Sequence, residues 1–131
     1  MKEISNKKRK KKGFTLIELI IVLAIIAIIG AIAIPNFSKI RTESKTKADT
    51  QSIETIKRIT KTLLIEDKVL PGDTFTVTVG AATEPTSKKL SATEISEYFK
   101  EVKKPQQDGM TEFDVSINDT GDVEVTLDDG K

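Results

Sequence analysis

The chain has 131 residues, enough for one small domain and little more. It contains no Cys and no His, which excludes disulfides, thiolate catalysis, imidazole base chemistry and Cys/His zinc sites. Its net charge of +1 averages two unlike parts: residues 1–13 hold seven Lys/Arg and one acid (+6), and residues 14–131 hold 14 Lys/Arg and 19 Asp/Glu (−5).

That split is not the signature of a nucleic-acid binder. The run Lys7–Lys12 can be read as a nuclear-localisation or nucleic-acid patch. It is also the usual cytoplasmic flank of a membrane segment, and an apolar run follows at once. An exported chain without disulfides must hold a small domain together by packing or by docking on neighbours.

From Phe14 to Ile34 the sequence is FTLIELIIVLAIIAIIGAIAI, with Thr15 and Glu18 as its only polar residues. As a helix this run spans roughly 31 Å, about one hydrocarbon core. A secretory signal peptide has a shorter apolar region, followed by small residues at the cleavage site; here Pro35, Asn36 and Phe37 follow. Lysines before the run place residues 1–13 in the cytoplasm and the rest outside, although Lys39 and Arg41 dilute the bias.

Glu18 is the costly residue of this segment. A carboxylate at bilayer depth costs about 2.5–3.5 kcal/mol on insertion scales. Either it snorkels to the headgroups from the helix end, or it has a positively charged partner at the same depth.

The local text Lys11-Lys12-Gly13-Phe14-Thr15-Leu16-Ile17-Glu18 resembles the class III signal of type IV prepilins and pseudopilins. The likeness runs through Pro35, about a fifth of the chain. It implies cleavage between Gly13 and Phe14 by a membrane aspartic peptidase, followed by N-methylation of Phe14. Gly13 has no side chain to obstruct a protease. The new Phe14 amine would supply the missing cation, and the resemblance makes Glu18 and Phe14 the assembly pair between neighbouring subunits.

Pro35 has no N–H for the Ala31 carbonyl, and Gly30 weakens the same stretch. Pro35 thus ends the membrane helix or, as the resemblance implies, kinks a continuing one at Gly30–Pro35. Beyond it, residues 36–67 lack Gly and Pro. Ile53, Ile56, Ile59 and Leu63 recur at helical spacing, with Leu64 beside them, and predict the face under a head domain. Residues 41–52 have only Ala48 as an apolar residue and are a solvated or inter-subunit helix, or a linker.

Pro71-Gly72 is the expected stop of the long helix. Thr74–Val79 alternates as a half-buried strand with Phe75, Val77 and Val79 inward, and Gly80–Lys89 has loop composition. Ser91 and Glu94 form a capping-box pair, with Leu90 and Ile95 as the staple, ahead of a helix over 92–103 that carries Ile95, Tyr98, Phe99 and Val102 on one side. Phe113/Val115/Ile117 and Val123/Val125/Leu127 alternate on either side of Asn118–Asp122, a hairpin.

The expected fold is α+β: a long N-terminal helix on a three-stranded antiparallel sheet with one short extra helix. Its expected parts are a leader at 1–13, a membrane and filament-core helix at 14–35, the rest of the helix at 36–67 and a head at 68–131. No catalytic residue, cofactor or metal site is expected. Asp119, Asp122, Glu124, Asp128 and Asp129 crowd the C-terminus without an EF-hand spacing and suit a solvated hairpin tip and tail. Asn36-Phe37-Ser38 and Asn118-Asp119-Thr120 match a short glycosylation pattern, and neither is assigned.

The resemblance implies a structural subunit of a type IV pilus serving motility, adhesion or biofilm formation. Its partners would be copies of itself, minor pilins, the prepilin peptidase/methylase, the assembly platform and membrane lipid before assembly. It would be a single-pass membrane precursor, then extracellular. A pseudopilin of a type II secretion or DNA-uptake system shares the same signal. A single-pass anchored extracellular domain is the alternative of another class. The lack of Cys departs from the disulfide-bounded head of many Gram-negative pilins, and fits a Gram-positive source loosely.

Overall fold

The computed structural model describes residues 11–131; residues 1–10 of the expected leader lie outside the described part. The chain divides into two compact units at Lys39/Ile40. The elements, in order, are α1 (Leu16–Ile65), β1 (Thr74–Thr78), β2 (Ala81–Ala82), α2 (Ala92–Tyr98), β3 (Glu112–Ile117) and β4 (Val123–Asp128). The α+β class holds, with four strands where three are expected.

In the first unit α1 begins at Leu16, and Pro35 lies inside the helix rather than ending it. The large apolar side chains from Phe14 to Phe37 are exposed. That pattern belongs to a helix whose packing partner is outside its own chain.

The second unit, Ile40–Lys131, has its own core. The sheet order is β2-β1-β3-β4, antiparallel throughout. Its register sets Phe75 beside Val115, and Val115 beside Val125. Phe75, Val77, Phe113, Val115, Ile117, Val123 and Val125 are therefore buried on one face. Strand side chains alternate, so a one-residue slip would turn this whole set to water. Ile56 and Leu63 of α1, Ile95 and Phe99 around α2, and Val69, Ala82, Leu90 and Val102 complete the core. The Phe75 and Phe99 rings meet at 5.9 Å in a tilted pair.

The helix face expected at Ile53–Leu64 is observed: Ile56 and Leu63 are fully buried, and Ile53, Ile59 and Leu64 pack against the core. Residues 41–52 are helical, not a linker. They are not wholly solvated either, because Asp49 is buried at 1% exposure. Thr60 is buried too, its hydroxyl satisfied by donating to the Ile56 carbonyl at 2.8 Å.

α1 stops at Ile65, before the Pro71-Gly72 breakers and two residues short of the expected 67. Asp67 takes a left-handed φ of 59°. Its N–H donates to Leu64 O at 3.2 Å, and the Lys68 N–H donates to Leu63 O at 2.8 Å. That crossed pair is a Schellman closure, with Asp in the place glycine usually takes.

β1 ends at Thr78, and Val79 is exposed rather than inward. Thr78 pairs with Ala81, so Val79 and Gly80 form a two-residue turn with Gly80 at φ 63°. The pair Ala81–Ala82 is therefore a short strand inside a stretch of loop composition. Ser96 clips it to α2: its hydroxyl accepts from Ala82 N at 2.9 Å.

α2 forms for the expected reason. Ser91 Oγ accepts from Glu94 N, and the Glu94 side chain accepts from Ser91 N, a complete capping box. The helix ends at Tyr98, not 103, because Phe99 N donates to Ser96 O and Val102 N to Phe99 O. Those i→i+3 turns carry both Phe99 and Val102 into the core, while Tyr98 stays partly exposed. The Tyr98 hydroxyl accepts from Lys68 Nζ at 2.6 Å. Lys68 also pairs with Glu66 at 2.6 Å, and the Glu66 and Tyr98 bonds raise the Lys68 pKa.

The β3–β4 loop is Asn118–Asp122. Asn118 Oδ1 accepts from Thr120 N, Thr120 Oγ1 and Asp122 N at 2.7–3.1 Å. The glycosylation-like text at this tip thus has a structural use as a side-chain-closed turn.

Candidate functional site

The residues singled out for function lie at the start of α1. Thr15 is the residue before the helix, and Glu18 is in its first turn. Thr15 N donates to Glu18 Oε2 at 3.4 Å, and Glu18 N donates to Thr15 Oγ1 at 3.3 Å. This reciprocal pair is a capping box, the same device as Ser91/Glu94. The Glu18 carboxylate also lies where the helix dipole favours negative charge. Glu18 therefore has a local partner in addition to any cation from another chain. The Thr15-x-x-Glu18 spacing ahead of an apolar run was sufficient signal for it.

Phe14 is 90% exposed, one residue before this cap. A Cβ on Gly13 would meet nothing within 4 Å, and its φ is not left-handed. The fold itself does not demand glycine there, so any demand for it comes from outside the chain. Gly30 is equally free of neighbours that a Cβ would meet. Pro35 lacks the N–H that the Ala31 carbonyl would otherwise receive within α1.

α1 is long and apolar enough to cross a membrane by length and composition. The apolar N-terminal helix fits a membrane-anchored precursor.

A second cluster lies on the outer face of the sheet. Carboxylate oxygens of Glu112, Asp114 and Asp128 lie within 4.8 Å of one another. They are the group among the described residues close enough together to share a cation. Of the acids crowding the C-terminal sequence only Asp128 takes part; β3 supplies the other two, which only the register shows. Glu112 faces Asp128 directly across the ladder. Like charges so placed are destabilising.

Partial burial, with hydrogen bonding to Asp128, raises the Asp114 pKa, while Gly130 N–H and Asp114 hold Asp128 low. A carboxyl whose folded pKa is raised contributes stability below its unfolded pKa, and loses it as pH rises through the folded value. Asp114→Asn is therefore expected to stabilise the head at pH 7 by about 0.5–1 kcal/mol. The gain should vanish near pH 3, and thermal melts at the two pH values check it.

The geometry defines a membrane-competent helix with a capped, acid-bearing start, followed by a small α+β head. Residues 8–34 match the prokaryotic N-terminal methylation motif. The chain is 48% identical over 64 residues to prepilin peptidase-dependent protein A of Clostridium perfringens, covering 49% of this chain and 46% of that protein. It is 57% identical over 42 residues to the type IV major pilin protein PilA of Myxococcus xanthus, covering 32% and 19%. It is 37% identical over 60 residues to a fimbrial protein of Pseudomonas aeruginosa, covering 46% and 39%. The matches span less than half the length of each of these relatives. No solved structure matches. The chain is type IV pilin-like, and two of these relatives, the major pilin and the fimbrial protein, carry the names of structural proteins.

Proposed function

We propose that the chain is a structural subunit of a type IV pilus, made as a single-pass precursor with residues 1–13 in the cytoplasm. A prepilin peptidase removes that leader after Gly13, and Phe14 becomes the N-methylated terminus. Residues 14–35 then serve first as membrane anchor and later as filament core. Residues 36–67 carry the head, 68–131, to the outside.

The observation that carries this reading is the exposed apolar start of α1 with its single acid in the first turn. Such a surface is stable only in lipid or against other apolar helices. Removing the leader leaves this surface intact and creates an amine four residues from Glu18. In assembly, that amine on one subunit meets the Glu18 carboxylate of another. A charge pair is strengthened where water is excluded, and an unpaired one is costly there.

Gly30 and Pro35 form the weak stretch at which the helix yields under filament strain. Copies of the same chain, minor pilins and the assembly platform are the partners. Surface motility, adhesion or biofilm formation is the expected role. The test is whether filaments sheared from the cell surface contain this chain beginning at Phe14.

A further inference from the structure

Residues 103–110, between α2 and β3, contain no helix or strand. Their hold on α1 is mostly polar. The buried Asp49 carboxyl accepts from Gln106 N at 2.6 Å and from Gln107 N at 3.0 Å. Lys45, one helical turn earlier, pairs with Asp108 at 2.5 Å. Pro105 is buried, and the Asp108 side chain at the tip of the segment is 92% exposed. The next residue, Gly109, has φ 84° and open space around it.

Beside this contact lies an open cavity of ≈ 420 Å³. Ala48, Ser52 and Thr55 of α1 line one side, and Lys103, Lys104 and Gln106 the other. Within residues 103–110 only Pro105 is buried, and most of the segment is exposed.

We propose that residues 103–110 form a strap that closes over α1 and opens as one unit, with Asp49 as its latch. The reasons are physical. Segments with few buried apolar contacts open locally before the core does. Here one buried carboxyl satisfies two adjacent backbone donors, so both bonds break together when the strap lifts. The salt bridge of Lys45 is solvent-exposed on its Asp108 side and contributes less. Opening frees the buried Asp49 carboxyl, on a stretch of α1 whose Ala48, Ser52 and Thr55 already border the open cavity. The strap lies wholly within the second unit and is independent of what the N-terminal helix assembles into.

Native-state hydrogen exchange on the full chain in detergent micelles tests this. In the unmodified protein, the Gln106 and Gln107 amides should share one opening constant, faster than the amides of β1 and β3. Asp49→Ala should speed exchange at those two amides by roughly 10- to 100-fold. The strand amides should keep their rates, and Lys45→Ala should have a several-fold smaller effect. The proposal is overturned if Gln106 and Gln107 exchange only at the strand rate in the unmodified protein. It is equally overturned if Asp49→Ala accelerates the strands as much as the strap.

Discussion

Glu18→Gln is expected to leave leader removal intact and to abolish most surface filaments. Gln is a good residue at the third position of a capping box, so the local bonds to Thr15 survive. What the substitution removes is charge. If the Phe14 amine of one subunit is neutralised by Glu18 of another, loss of one partner of a desolvated pair costs about 3–5 kcal/mol per contact. A polymer repeats that contact at every subunit, so the loss compounds along the filament.

Thr15→Ala supplies the opposite dissection. It removes the hydroxyl that accepts from Glu18 N but keeps the carboxylate. That should cost only about 1 kcal/mol at the helix start. Filament yield from sheared cells, with precursor and mature chain resolved on a gel, reads both variants. Normal yield from Glu18→Gln together with loss in Thr15→Ala would mean that the cap, and not the charge, governs assembly.

Asp73→Ala is expected to destabilise the head more than any surface change. Asp73 is 2% exposed. Its carboxyl oxygens accept from Leu70 N at 2.8 Å, and from both Ser87 N and Ser87 Oγ at 2.7 Å. It therefore fixes the turn entering β1 to the loop before α2. Removing it leaves two part-buried backbone donors, Leu70 N and Ser87 N, without their acceptor, at about 1–2 kcal/mol each, while the Ser87 hydroxyl can rotate away. The expected total is about 2–4 kcal/mol, and a domain of this size loses roughly 4–8 °C of melting temperature per kcal/mol. Ser87→Ala, which removes a single hydroxyl, should cost much less. Thermal unfolding of the full chain in micelles distinguishes the two, and equal losses would show that the carboxyl does not anchor both segments.

These two aspartates, Asp49 and Asp73, also mark where reading the sequence stops. The inward strand positions are legible, because Phe75/Val77, Phe113/Val115/Ile117 and Val123/Val125 alternate with polar residues and the register keeps them on one face. The same alternation misleads at Val79, since the turn at Gly80 ends the strand before the pattern does. Ala81–Ala82 has no strand signal of its own; it forms because the turn folds it back on β1. Buried polar residues such as Asp49, Thr60 and Asp73 look like surface, for their partners lie far along the chain or in the backbone. The end of α1 is hidden for a related reason, an Asp standing in the left-handed position.

At the N-terminal site the balance differs. Gly13, Phe14, Glu18, Gly30 and Pro35 are singled out from the sequence, whereas the Thr15/Glu18 cap emerges only from the geometry, although its spacing carries the signal. The geometry changes the meaning of Glu18. In the chain by itself the carboxylate is held at its own helix start, so the amine proposed to meet it in assembly would bind a carboxylate already oriented by that cap.

The most direct measurement is the mass of the N-terminal peptide of the mature chain, recovered from filaments sheared off the cell surface. The account predicts a peptide that begins at Phe14 and carries one extra methyl group on its amine. Filaments lacking this chain, or a mature chain that still begins at Met1, would contradict it.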